Sequence, residues 1–157
     1  MSSVATKPEP EALKAVVTGL TQAVAETSVT MMKAQNYHWN VKGMGFGPLH
    51  DLFQTIYEDH FTAQDELSER VRALGAHAVG RYDAYLAMSK VTECDGDIDA
   101  KTMIAKLRDD QRIIAGTLQA LASVAEEAGD MLTQDQAIER GRIHEKFAWL
   151  LDAHLQG

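Results

Sequence analysis

Residues 36–53 read NYHWNVKGMGFGPLHDLF. On both sides of this stretch apolar residues recur every three or four positions, and inside it stand Gly43, Gly45, Gly47 and Pro48. Such a run closes one helix and opens another. Glycine has no Cβ to resist left-handed backbone, and proline holds the φ angle of a first helical turn. The stretch also places His38 beside Trp39 before the break and His50 just after it. Two imidazoles brought near each other by a tight reversal are either packing groups or half of a metal site. The rest of the chain decides between these.

Upstream, Pro10 suits the first turn of a helix, and Leu13, Val16, Val17, Leu20, Val24, Met31 and Tyr37 then follow one helical face to about Val41. Downstream, a second helix is predicted to open at Pro48, to run through Leu49, Leu52, Phe53, Ile56, Tyr57, Phe61, Leu67 and Val71, and to end near Gly75. Residues 76–98 are mixed, with a short helix expected over Asp83–Met88. Asp99 reads as the N-cap of a third helix carrying Met103, Ile104, Leu107, Ile113, Ile114, Leu118 and Leu121, ended by Gly129. Thr133-Gln134-Asp135-Gln136 has the form of a capping box for a fourth helix reaching Leu155. Neither strand alternation nor an internal repeat is present. The long central connection permits a crossover between two antiparallel helix pairs. The expected architecture is all-α, a four-helix bundle over residues 10–157 with a short extra helix between helices 2 and 3. Residues 1–9 are expected to form a flexible tail.

The bulk numbers narrow the function classes. A chain of 157 residues, 45% hydrophobic, suits one domain with a substantial core. Cys94 is the only cysteine, so no intrachain disulfide is possible and a reducing compartment is expected; no role for it is evident. The start MSSVATKPEP lacks the apolar segment of a secretory signal, and no apolar run nears the roughly 20 residues needed to span a bilayer. A cytoplasmic protein without a membrane partner is the expectation. The net charge of -8 repels phosphate backbones unless cations are gathered in one place. Lys7 stands against Glu9 and Glu11, and the C-terminal HLQG adds no basic extension. This argues against a DNA partner and for cations.

On the second helix, a step of about 100° per residue puts His50, Gln54, Glu58, Asp65 and Glu69 on one narrow stripe. Asp65 and Glu69, one turn apart, can share a cation, although a charged stripe is more often a solvated face. His50 and Asp65 lie about 22 Å apart along the axis, so one chain cannot bring both to one ion. Two copies packed with this helix antiparallel to itself, about a two-fold axis near residues 58 to 60, could do so, and such an interface would make the sites in pairs. His38 folds back toward the same end as His50. Two imidazoles and two carboxylates with open positions suit ferrous iron. A di-iron site inside the bundle would need Glu-x-x-His on two helices, and the chain has none.

The run NYHWNVKG, the following LH and DELSERVRALG, spaced His-x11-His-x14-Asp-x3-Glu, resemble the Dps proteins, the ferritin-like "DNA-binding proteins from starved cells". The resemblance covers about residues 10–155. It implies a hollow homo-dodecamer built from two-fold dimers, a ferroxidase that oxidises Fe(II) with hydrogen peroxide, and also with dioxygen, and stores the ferric mineral. By removing iron and peroxide it would protect DNA, in the cytoplasm or at the nucleoid. By the same resemblance, His38 and His50 are ligands from one subunit, and Asp65 and Glu69 are ligands from its two-fold mate. Trp39 matches a tryptophan beside the centre that intercepts radicals, though an interface aromatic that only packs accounts for it equally.

Gln54 stands where the family often has an aspartate. A neutral amide there weakens the second of up to two iron positions. Asp130, Asp135 and Glu139 resemble the acidic triplet lining the family's three-fold pores for iron, although acids near a helix start are favoured by its dipole alone. His60, His77, His144 and His154 have no partner pattern and read as surface or packing residues. Arg70 and Arg72 are candidates for subunit salt bridges. Two competing functions stand beside this one: a non-enzymatic, DNA-coating nucleoid protein, and an assembled shell with a degenerate metal centre.

Overall fold

The computed structural model describes residues 9–156. Apart from Glu9, the tail expected over residues 1–9 lies outside the described residues. These hold five helices, α1 (Pro10–Asn40), α2 (Phe46–Ala73), α3 (Tyr82–Met88), α4 (Ala100–Glu127) and α5 (Met131–Ala153), and no strand. The long helices form the bundle, and α3 is the short extra helix in the central connection.

Contacts between side chains set the directions. Gln64 donates to Ser28 at 2.7 Å and His38 meets His50, so α2 runs antiparallel to α1. Thr117 donates to Glu26 and Lys33 pairs with Asp110 at 2.9 Å, so α4 is antiparallel to α1 as well. Helices α2 and α4 are therefore parallel, and residues 74–99 must cross the length of the bundle to join them. The polar face of α1 ties this crossover down. Glu26 accepts from the Lys90 N–H at 2.9 Å, Lys33 donates to the Thr92 carbonyl at 2.9 Å, and Asn36 donates to the Cys94 and Asp95 carbonyls. Gly96, with φ +83, lies so close to Asn36 that a Cβ would stand 1.9 Å from its side-chain oxygen. Only glycine fits there.

Two helix starts differ from expectation. Helix α2 opens at Phe46, two residues before Pro48, because Gly45 takes left-handed backbone (φ +87) immediately ahead of it. Pro48 then sits at the third position, where a missing N–H costs nothing. Helix α5 opens at Met131 instead of at the Thr133 box. Asp130 is the cap, accepting from the Thr133 N–H at 3.1 Å, and Thr133 turns its hydroxyl back onto the same carboxylate. Arg70 of α2 holds Asp130 at 3.0 Å, a tertiary contact that local sequence cannot reveal. Asp99 caps α4 as expected, at 2.8 Å from the Thr102 N–H.

The core divides into two apolar clusters. One gathers Leu20, Val24, Leu67, Ile114 and Leu118; the other gathers Tyr37, Phe53, Ile56, Leu107 and Leu151. Along α2, α4 and α5 a polar layer separates them, at Asp59 and His60, Gln111, and Arg140 and His144.

Candidate metal centre

His38 lies in the last turn of α1 and His50 in the second turn of α2. Their rings stack with centroids 3.6 Å apart and planes 15° apart. Each Nδ1 lies 2.7 Å from the other residue's backbone carbonyl. A carbonyl only accepts, so both Nδ1 atoms carry hydrogen, which in a neutral imidazole leaves the lone pair on Nε2. This is the tautomer a metal ligand requires, fixed by the partner of the opposite nitrogen. The pairing also has a local cause. The His38 carbonyl is among the last four of α1, which have no helical N–H to accept, and His50 supplies the missing donor.

Asp65 and Glu69 stand one turn apart on α2, both exposed. The neighbouring Asp65 carboxylate accepts a hydrogen bond from protonated Glu69 and repels its charged form, which raises the pKa of Glu69 above the ordinary glutamate value. A cation between two acids this close would relieve the same repulsion. Gln54, on the same stripe, donates its amide to Glu58 at 2.8 Å and keeps its carbonyl oxygen free of that bond. Trp39 is 63% exposed. Among the described residues no group of three or more His, Cys, Asp or Glu side chains is disposed to hold a metal ion. One chain thus pairs two imidazoles at the α1–α2 turn and carries two neighbouring carboxylates on another part of α2.

The acidic triplet is divided by the fold. Asp130 is buried as the α5 cap. Burial alone would raise its pKa, yet the bonds from Thr133 and the charge of Arg70 hold its carboxyl below the usual range. Asp135 and Glu139 remain exposed. Arg70, a candidate for subunit bridges, is occupied within the chain by Asp130 and Thr133, and Arg72 donates to the Ala76 carbonyl at 2.9 Å.

His60 and His144, which carried no sequence pattern, are packing residues of an unexpected kind. Both are fully buried, in a closed ring of hydrogen bonds. Arg140 donates to Asp59 at 3.0 and 2.8 Å and to His144 Nε2 at 2.9 Å. His144 Nδ1 donates to the Gln111 carbonyl oxygen at 2.6 Å, the Gln111 amide meets His60 Nε2 at 3.2 Å, and His60 Nδ1 reaches Asp59 at 3.1 Å. The arginine sets every direction in the ring. It can only donate, so His144 Nε2 accepts, and the remaining protons follow in order to Asp59. Burial lowers the pKa of both histidines, and both rings are neutral. The available signal was periodicity: His60 stands one turn after Ile56 and His144 two turns after Ala137, both on the buried face of their helices.

A bundle of four long helices with a short helix in its lengthwise crossover is the ferritin-like architecture, and the comparisons agree. A ferritin-like domain profile matches residues 17–157. The "DNA protection during starvation protein" of Brevibacillus brevis is 34% identical over 139 residues, covering 87% of this chain and 92% of the relative. The crystal structure of Dps from Staphylococcus aureus superposes with TM-score 0.89 at 33% identity, over 92% of this chain and 97% of that one. A Dps protein from Vibrio cholerae O1, described as "a member of a broad superfamily of ferritin-like diiron-carboxylate proteins", gives TM-score 0.89 at 28% identity, over 98% of this chain and 100% of that one. The chain belongs to the Dps family. No described helix is long and apolar enough to cross a membrane.

Proposed function

We propose that the protein oxidises ferrous iron at centres shared between two copies of the chain and stores the ferric product in a hollow homo-dodecamer. The reciprocal bonding of His38 and His50 carries this reading. It ties both Nδ1 atoms to backbone carbonyls and leaves both Nε2 atoms without a hydrogen-bond partner among the described residues, free to serve as ligands. Asp65 and Glu69 of a two-fold mate complete the ligand set. An open cavity of about 500 Å³ beside Asp65, lined by Phe61, Gln64, Arg81 and Tyr82, offers space for the second copy.

Iron is the substrate. The imidazoles bind it without adding charge, and the two acids supply the negative charge that favours the ferric state. Hydrogen peroxide is the oxidant that fits best. Two ferrous ions each give one electron, and the peroxide takes up two protons to leave as water. Dioxygen is the alternative oxidant. Gln54, a neutral donor, makes the second iron position the weaker. Trp39, exposed on the residue after His38, is placed to donate an electron to stray radicals or to pack against a neighbouring copy. Asp135 and Glu139 line a three-fold pore that draws cations inward, while Asp130 holds the start of the helix that carries them.

The decisive measurement is ferrous oxidation by peroxide. The native protein should accelerate it and keep the iron in a soluble particle. Asp65→Ala with Glu69→Ala should abolish the acceleration, and an unchanged rate in that variant would refute the proposal. The protection of DNA named in the relatives follows here from removal of iron and peroxide. Tight, salt-sensitive retardation of DNA at low salt would favour a coating role instead.

A further inference from the structure

The glycine-rich break does more than reverse the chain. The left-handed backbone at Gly45 lets α2 begin at Phe46, one turn before His50. Residues four apart on a helix meet on one face. The Phe46 ring stacks on the His50 imidazole with centroids 5.0 Å apart and planes 24° apart. His50 stacks in turn on His38, and Tyr57 meets His38 at 81° with centroids 5.3 Å apart. Phe46, His50 and His38 form a column of rings, with Tyr57 set against it at a right angle.

Phe46 is 45% exposed, so apolar burial is a weak reason for a phenyl at this place. Its π-face offers a better one. An imidazole that binds a dication through Nε2 loses electron density to the metal and takes on part of its charge. The face of an aromatic ring is negative and attracts cations within about 6 Å of its centroid. The contact with Phe46 therefore strengthens when His50 is loaded.

We propose that Phe46 is a positioning residue for metal uptake: it holds the His50 imidazole against His38 and favours the metal-bound ring over the free one. The inference rests on the reading of His38 and His50 as metal ligands. A leucine at 46 would fill comparable space without a π-face, whereas tyrosine and tryptophan keep one.

The test is a Co(II) titration of the whole protein, followed by the visible absorption of histidine-bound Co(II), with particle mass and melting temperature recorded for each variant. Phe46→Leu should bind Co(II) roughly two- to fivefold more weakly at unchanged mass and melting temperature, the size expected of an exposed cation–π contact. Its KM for Fe(II) should rise with kcat little altered. Phe46→Tyr and Phe46→Trp should bind at least as tightly as the native protein. If Phe46→Leu binds Co(II) like the native protein, the proposal is overturned. If Phe46→Leu does not assemble, Phe46→Trp decides, and assembled Trp particles with weakened binding overturn it too. If His38→Ala leaves the Co(II) spectrum of the native protein unaltered, the metal-centre reading itself has failed and this inference goes with it.

Discussion

Arg140 reaches Asp59 through the bundle interior with two hydrogen bonds, 3.0 and 2.8 Å long, and its second terminal nitrogen also meets His144. This arginine is the only cation of a ring whose only anion is Asp59, and both sit among neutral partners. Burial would raise the Asp59 pKa, but the bonds from His60 and Arg140 hold its carboxyl well below the usual carboxylate range. Removing one member of such a pair leaves the other charged and uncompensated. Arg140→Ala should therefore destabilise the protein by about 3–5 kcal/mol, measured by chemical denaturation. Arg140→Met combined with Asp59→Leu should lose much less, because no stranded charge remains.

The same ring makes stability depend on acidity. Burial lowers the pKa of both His60 and His144 below the ordinary value of 6.5. The unfolded chain thus takes up these protons first. The stabilisation is complete above that value and is lost as the pH falls below it, by up to roughly 1.4 kcal/mol per pH unit for each histidine. Thermal melts between pH 7.5 and 5 should show this slope. His60→Leu with His144→Leu should flatten it, even if that variant melts lower throughout.

Sharing of the centre between copies can be tested by complementation. Particles of His38→Ala/His50→Ala chains and particles of Asp65→Ala/Glu69→Ala chains should both be inactive. When the two chains are unfolded together and reassembled, half of the dimers are mixed, and each mixed dimer regains one complete centre of its two. About a quarter of the native ferrous oxidation rate should return. No recovery in mixed particles of native mass would count against a two-fold site.

Gln54→Asp puts a charge on the stripe beside His50. Calorimetric titration with Co(II) should then show a second equivalent per centre that binds more tightly than in the native protein, with the first little altered. The direction follows from the preference of divalent cations for carboxylate over amide oxygen.

Asp135→Asn with Glu139→Gln should slow iron uptake into the particle by about tenfold or more at low ionic strength, the range in which a charged ring concentrates cations. The difference should shrink as salt screens it. Stopped-flow uptake at two salt concentrations reads both effects, and oxidation of iron already inside should be unaffected.

The amino-acid sequence alone determined the helices, the glycine break after Val41 and the long central connection, because 3.6-residue periodicity, proline and glycine act locally. The four ligand candidates His38, His50, Asp65 and Glu69 stood out in the sequence through a spacing that resembles the Dps pattern, which is read without knowledge of the packing. Helix starts were less so. Asp130, not Thr133, caps α5, and the Arg70 that pairs with it arrives from a helix 60 residues away. The tautomers of His38 and His50 likewise depend on two carbonyls brought together by the turn. The ring of Asp59, His60, Gln111, Arg140 and His144 was hidden for the same reason. Each member looks ordinary on its own helix, and a hydrogen bond between helices leaves no periodic mark in any one of them. Only the tertiary structure decides which polar groups are removed from water together.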